Sequence, residues 1–210
     1  MMLNTHSPRL IGAVIVIRCG VVMEVAEAIR RRRALRALDS RSIDSESVSA
    51  LVNAVVLSAS CFNNQPWNLV ICSGGESLDG VRAALPRGNA WASRAPLIVV
   101  VASREEDDCQ LSDRRDYHLF DCGLAIGQML LQATELGLVA HPIAGYDPAK
   151  VRAALGIPDD HVIITLVVCG FHGQDDALLS DKQRAAESER PSRKAIGDNI
   201  HMDRWGAPFG

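Results

Sequence analysis

The stretch "SASCFNNQPWNLV", residues 58–70, runs from small and polar residues through a Pro-Trp corner into an apolar segment. Side-chain amides both donate and accept hydrogen bonds, so Asn63, Asn64 and Gln65 in front of a stiff corner suit a planar partner with mixed donors and acceptors. The plainer alternative is a polar loop ahead of a strand. From Trp67 to Cys72 the chain reads as that strand. Upstream, residues 44–58 read as a helix, with Asp44 or Ser45 as N-cap and Val48, Leu51, Val52 and Val55 as its apolar stripe. Val22, Val25 and Ile29 recur at helical spacing ahead of it.

Downstream, residues 74–85 form a turn and short helix, and "APLIVVVA" (95–102) is an apolar run of strand length, expected to be buried on both faces. Residues 113–136 carry the longest helical pattern, apolar nearly all round. At about 100° per residue Asp121, Gln128, Gln132 and Glu135 share one narrow polar stripe. Gly123, Ala125 and Gly127 leave room for a second backbone, as in a dimer or a monomer core, and Gly137 is placed to end the helix. A helix over 148–155 closed by Gly156 and a strand over 161–170 follow. The polar segment 174–210 cannot bury much on its own, and Trp205 and Phe209 near its end favour an arm laid over another subunit.

The chain has 210 residues, 48% hydrophobic and 22% charged, as a globular domain does. A net charge of -3 supplies no basic field, which argues against a nucleic-acid partner. The run "RLIGAVIVIRCGVV" (9–22) is broken by Arg18 and is too short to span a bilayer. Residues 1–22 therefore read as an extension, with Met23 as the natural start. The six cysteines form no C-x-x-C pair and several lie in apolar runs, which indicates a reduced, cytoplasmic protein. The histidines lack metal-ligand spacing, so no metal is expected.

The second informative stretch is "IRRRRALRAL", residues 29–38. Continuing a helix whose buried stripe is Val22, Val25 and Ile29 puts Arg33 and Arg36 on that stripe and Arg32 at its edge. Guanidinium groups turned inward need an anion, and a phosphate accepting forked hydrogen bonds meets that need. Neither G-x-G-x-x-G nor a P-loop is present, so side chains must hold the phosphate. Arg190, Arg193 and Lys194 could close over the same anion.

Taken together, these elements resemble the FMN-dependent nitroreductase family over residues 23–205. Its R-x-S-x-[RK] motif corresponds to Arg32-Arg33-Ala34-Leu35-Arg36, and its P-S-x-x-N-x-Q-P-W corner to residues 59–67. Its central helix is matched by Asp121, Gly123, Ala125, Leu130, Leu131, Ala133, Gly137 and Leu138. Its P-I-x-G turn is Pro142-Ile143-Ala144-Gly145, and its tail is similar to "RKAIGDNIHMDRW". The sequence departs from the family pattern at Ala34, Ala59 and Pro191, and Arg33 or Arg190 is placed to compensate.

The resemblance implies an α+β fold with a central, mostly antiparallel sheet flanked by helices. It also implies a homodimer exchanging a C-terminal arm (174–210) within a domain of residues 23–210. It implies FMN in a groove at the dimer interface, with Arg32, Arg33, Ala34 and Arg193 at the phosphate and Arg36 at the pyrimidine edge. Ser60, Asn63 and Gln65 would meet ring or ribityl groups, and Pro142, Ile143, Ala144 and Gly145 would bring a backbone N–H to the flavin N5. The activity implied is hydride transfer from NAD(P)H to a nitroarene, quinone or similar acceptor, in ping-pong order and without a catalytic side chain. Other flavin reactions (enone reduction, reductive dehalogenation, flavin fragmentation) and a non-catalytic flavin-binding dimer are the alternatives.

Overall fold

The structure, a computed structural model, describes residues 23–209. The expectations for residues 1–22 lie outside the described residues. Five antiparallel strands build the sheet: β1 (Leu38–Asp39), β2 (Asn68–Cys72), β3 (Leu97–Ser103), β4 (Val139–Ile143) and β5 (Val162–His172). β2, β3, β5 and β4 lie side by side, with Val70 opposite Val100, Val100 opposite Leu166, and Val167 opposite Pro142. β1 pairs only with the end of β5, Leu38 against His172.

Every residue of β3 is buried, because apolar side chains alternate between two covered faces. Ile98, Val100, Leu166 and Val168 enter one core, beside α3 (Gly75–Ala83) and α5 (Pro148–Leu155). Leu97, Val99, Val101, Val167 and Cys169 enter the other, against α2 (Ser45–Val56) and α4 (Tyr117–Glu135). The α+β architecture expected from the sequence is the one observed.

Helix ends follow the local chemistry. The Asp44 carboxylate accepts from Ser47 N (2.7 Å) and starts α2. Asp147, with Pro148 behind it, starts α5, and Gly156 at φ 65° ends it. Gly137, at φ 72°, follows α4. Among the described residues no helix is long and apolar enough to cross a membrane.

Expectations for two helices are corrected. The first helix, α1 (Val25–Arg31), does not continue through the arginines: the chain leaves helical geometry at Arg32, with ψ 124°. The Arg190 guanidinium donates to the carbonyls of Arg30 (2.5 Å) and Arg32 (2.8 Å), and so takes up acceptors that the helix end leaves free. Val25 and Ile29 are 67% and 56% exposed, so the face read as a buried stripe is open in the single chain and only Ala28 is covered. Asp121, placed by the helical wheel on the polar stripe of α4, is 1% exposed, because the loop at Cys61 packs over it. Leu119, Phe120 and Leu124 face outward instead, and among the described residues nothing lies within 4 Å of where a Cβ on Gly123 or Gly127 would stand.

The C-terminal segment forms α6 (Asp181–Ser188) and α7 (Ile196–Asn199). Ser180 caps α6 in a reciprocal box with Gln183. Glu187 then accepts from Arg36 N (2.9 Å) and Ala37 N (3.2 Å), fastening this segment to the strand that follows the arginines.

Candidate functional site

Arg32, Arg33, Ala34, Arg36, Arg190 and Arg193 line a cavity of ≈ 240 Å³ between the end of α1 and the C-terminal segment. None of the ion pairs among the described residues involves any of these five arginines. Arg33 spends donors on Ala186 O (2.9 Å) and Glu189 O (3.0 Å), and Arg190 caps α1, so both position the wall. Burial, with Arg190 and Arg193 close by, pushes the Arg32 pKa down. Like charges brought together without an ion-pair partner raise the energy of the cluster, and an anion relieves it.

Arg36 joins this cavity to β4. Its guanidinium carbon lies 5.9 Å from the Trp91 ring centroid, and Trp91 stacks at 4.8 Å on His141, in the middle of β4. Nδ1 of His141 donates to Leu35 O (3.0 Å), which leaves Nε2 as the acceptor of the neutral ring. Burial pushes the His141 pKa down; Arg36 and Arg32 push the same way, and the Leu35 bond and Glu187 oppose.

Pro142 and Ile143 follow His141 within β4, so the expected turn begins only at Ala144 and Gly145, both exposed. A Cβ on Gly145 would come within 2.6 Å of Asn89 Nδ2, which donates to Gly145 O (2.8 Å). The glycine thus makes room for Asn89, a side chain of its own chain.

The corner at residues 60–65 stands apart, and no hydrogen bond or ion pair among the described residues joins it to the arginines. Phe62 (φ 48°), Asn63 (φ 60°) and Gln65 (φ 53°) all adopt the left-handed region, at about 1–3 kcal/mol for each such residue. The loop is held by Asp121 accepting from Cys61 N (2.6 Å), Ser60 Oγ accepting from Gln65 N (3.0 Å) and Asp108 accepting from Asn64 Nδ2 (3.2 Å). Gln65 Nε2 donates to Asn63 O (3.2 Å). Of the three amides expected to face a partner, those of Asn64 and Gln65 therefore do local work, and Asn63 presents its side chain at the surface.

The structure gathers the arginine motif and Arg193 and places Pro142–Gly145 beyond His141, but leaves Ser60, Asn63 and Gln65 elsewhere. Sequence reasoning missed Trp91, His141, Glu187 and the anchor Asp108, and it matched Asp121 to the central helix without its anchoring role. No local pattern marks those contacts, because each meets its partner across a long loop of chain.

The profile of the nitroreductase family matches residues 29–86 and 82–171. An uncharacterised 15.4 kDa protein of Mycolicibacterium smegmatis is 33% identical over 135 residues, 64% of this chain and 88% of that protein. A protein of Archaeoglobus fulgidus with the provisional name NADH dehydrogenase/NAD(P)H nitroreductase is 27% identical over 187 residues, 87% of this chain and 99% of its own. The crystal structure of an oxidoreductase containing FMN superposes with a TM-score of 0.73 at 28% identity, over 86% of this chain and 92% of that one. Because the matched residues run unbroken from the end of α1 into β5, they take in the arginine motif, the strained corner and every strand, and the chain belongs to the nitroreductase family.

Proposed function

We propose that the chain is an FMN-dependent oxidoreductase that uses NAD(P)H to reduce a nitroaromatic, quinone or similar acceptor, the two substrates occupying one site in turn. The observation that carries this reading is the arginine cavity, whose clustered guanidiniums form no ion pair among the described residues and fit a phosphate. FMN supplies the hydride chemistry when bound, at the flavin N5.

In this reading Arg32 and Arg193 hold the phosphate, while Arg33 and Arg190 set the wall and add positive charge where Ala34 and Pro191 offer no donor. Arg36, steadied over Trp91, meets the pyrimidine edge and offsets negative charge there. Ser60, Asn63 and Gln65 complete the site from a second copy of the chain, and the Ala144–Gly145 backbone borders the reacting face. The exposed apolar side chains of α1 and α4 support a homodimer, with Trp205, 90% exposed, carried by an arm over the partner.

The test is the visible spectrum of purified protein, with mass identification of the released chromophore, before and after anaerobic NADH or NADPH. Stoichiometric FMN that bleaches with nucleotide and recovers with a quinone or nitroarene is expected, with parallel double-reciprocal plots. Protein that neither retains nor takes up FMN, or bound FMN that neither nucleotide reduces, would overturn the reading.

A further inference from the structure

We infer that Cys61, Asp108 and Cys109 form a binding site for a soft divalent cation such as Zn2+. The two thiol sulfurs and one Asp108 carboxylate oxygen lie within 4.8 Å of one another. A tetrahedral ion with Zn–S near 2.3 Å and Zn–O near 2.1 Å holds such atoms roughly 3.5–3.8 Å apart, so side-chain adjustments of about an ångström close the set. Two thiols with one carboxylate select a soft or borderline cation over Mg2+ or Ca2+, which take oxygen ligands.

Asp108 Oδ1 accepts from Cys109 N (2.8 Å) and Asn64 Nδ2 (3.2 Å), while Oδ2 is buried without a hydrogen-bond partner, in a residue 6% exposed. A buried carboxylate oxygen left unpaired is costly, and a cation satisfies it. Cys61 is positioned by its backbone N–H, which donates to the buried Asp121 carboxylate (2.6 Å). No cationic side chain pairs with Asp108 or Asp121 among the described residues.

Two neighbouring thiols also suggest a disulfide, and the mass of protein purified without reductant separates that outcome from the metal site.

The test is a Zn2+ titration of chelator-treated, reduced protein in competition with a chromophoric chelator. One ion per chain is expected, with affinity lowered by about tenfold or more in Cys109→Ser and in Asp108→Asn while circular dichroism stays unchanged. X-ray absorption of the Zn2+ form should show sulfur in the coordination shell. No uptake by the parent protein, or full affinity in both variants, would overturn the site. So would a loss of two hydrogens in the mass of protein purified without reductant, with Cys61 and Cys109 joined and no metal bound.

Discussion

Replacing Arg32 by Gln should move stability and flavin binding in opposite directions. In the flavin-free protein Arg32 is partly buried beside Arg190 and Arg193, and among the described residues none of the three forms an ion pair with a carboxylate. Neutral glutamine removes two like-charge contacts of about 0.2–1 kcal/mol each at a partly solvated position. A net gain of about 0.5–1 kcal/mol remains after screening, which for a domain of this size raises Tm by about 1–4 °C. The gain should be larger at 0.01 M salt, where the Debye length is about 30 Å, than at 0.1 M, where it is about 10 Å. With FMN the sign reverses, because losing a charge-assisted bond to the phosphate costs about 1.5–3 kcal/mol, a Kd weakened about 10–150-fold. Thermal melts of the flavin-free protein at two salt concentrations and titration calorimetry with FMN measure both halves. An Arg32→Gln protein that melts lower without flavin, or binds FMN as the parent does, would refute the anion-site reasoning.

Gly80→Ala should destabilise the fold, since the new Cβ would lie 2.6 Å from Ala154 Cβ where α3 packs on α5. Overpacking of about 1–3 kcal/mol outweighs a helix-propensity gain of about 1 kcal/mol, and the second change Ala154→Gly should recover part of the loss in urea denaturation. His141 has a native pKa held below its unfolded value near 6.5, chiefly by burial, so its contribution is fully present above about pH 6.5. That contribution is lost as pH falls from there toward the native pKa, because the unfolded chain takes up the proton first. Urea midpoints of flavin-free protein between pH 7.5 and 5 should drop more steeply for the parent than for His141→Gln, and equal slopes would count against this assignment.

Much of the framework was legible because its causes are local. Asp44, Pro148, Gly137 and Gly156 mark helix ends by their own capping and turn chemistry. The unbroken apolar run at β3 needs two covered faces wherever it sits. The arginine cluster was tied to an anion by a route that fails. The wheel assumed a helix through Arg36, whereas the chain turns at Arg32, and Arg190, about 160 residues away, caps the helix end and helps close the cavity. Asp121 looked like a surface residue because a helical wheel records angle alone; the Cys61 loop covers that end of α4 and leaves Gln128 exposed.

The sequence by itself determined the element order, the two-faced sheet, most helix ends and the family, because spacing, capping and motif order act over a few residues at a time. Only the tertiary structure decided which charges share a cavity, that Gly145 makes way for Asn89, and that Cys61 meets Asp108 and Cys109. Those depend on contacts between segments far apart in the chain, which burial of the apolar faces arranges and no local periodicity encodes.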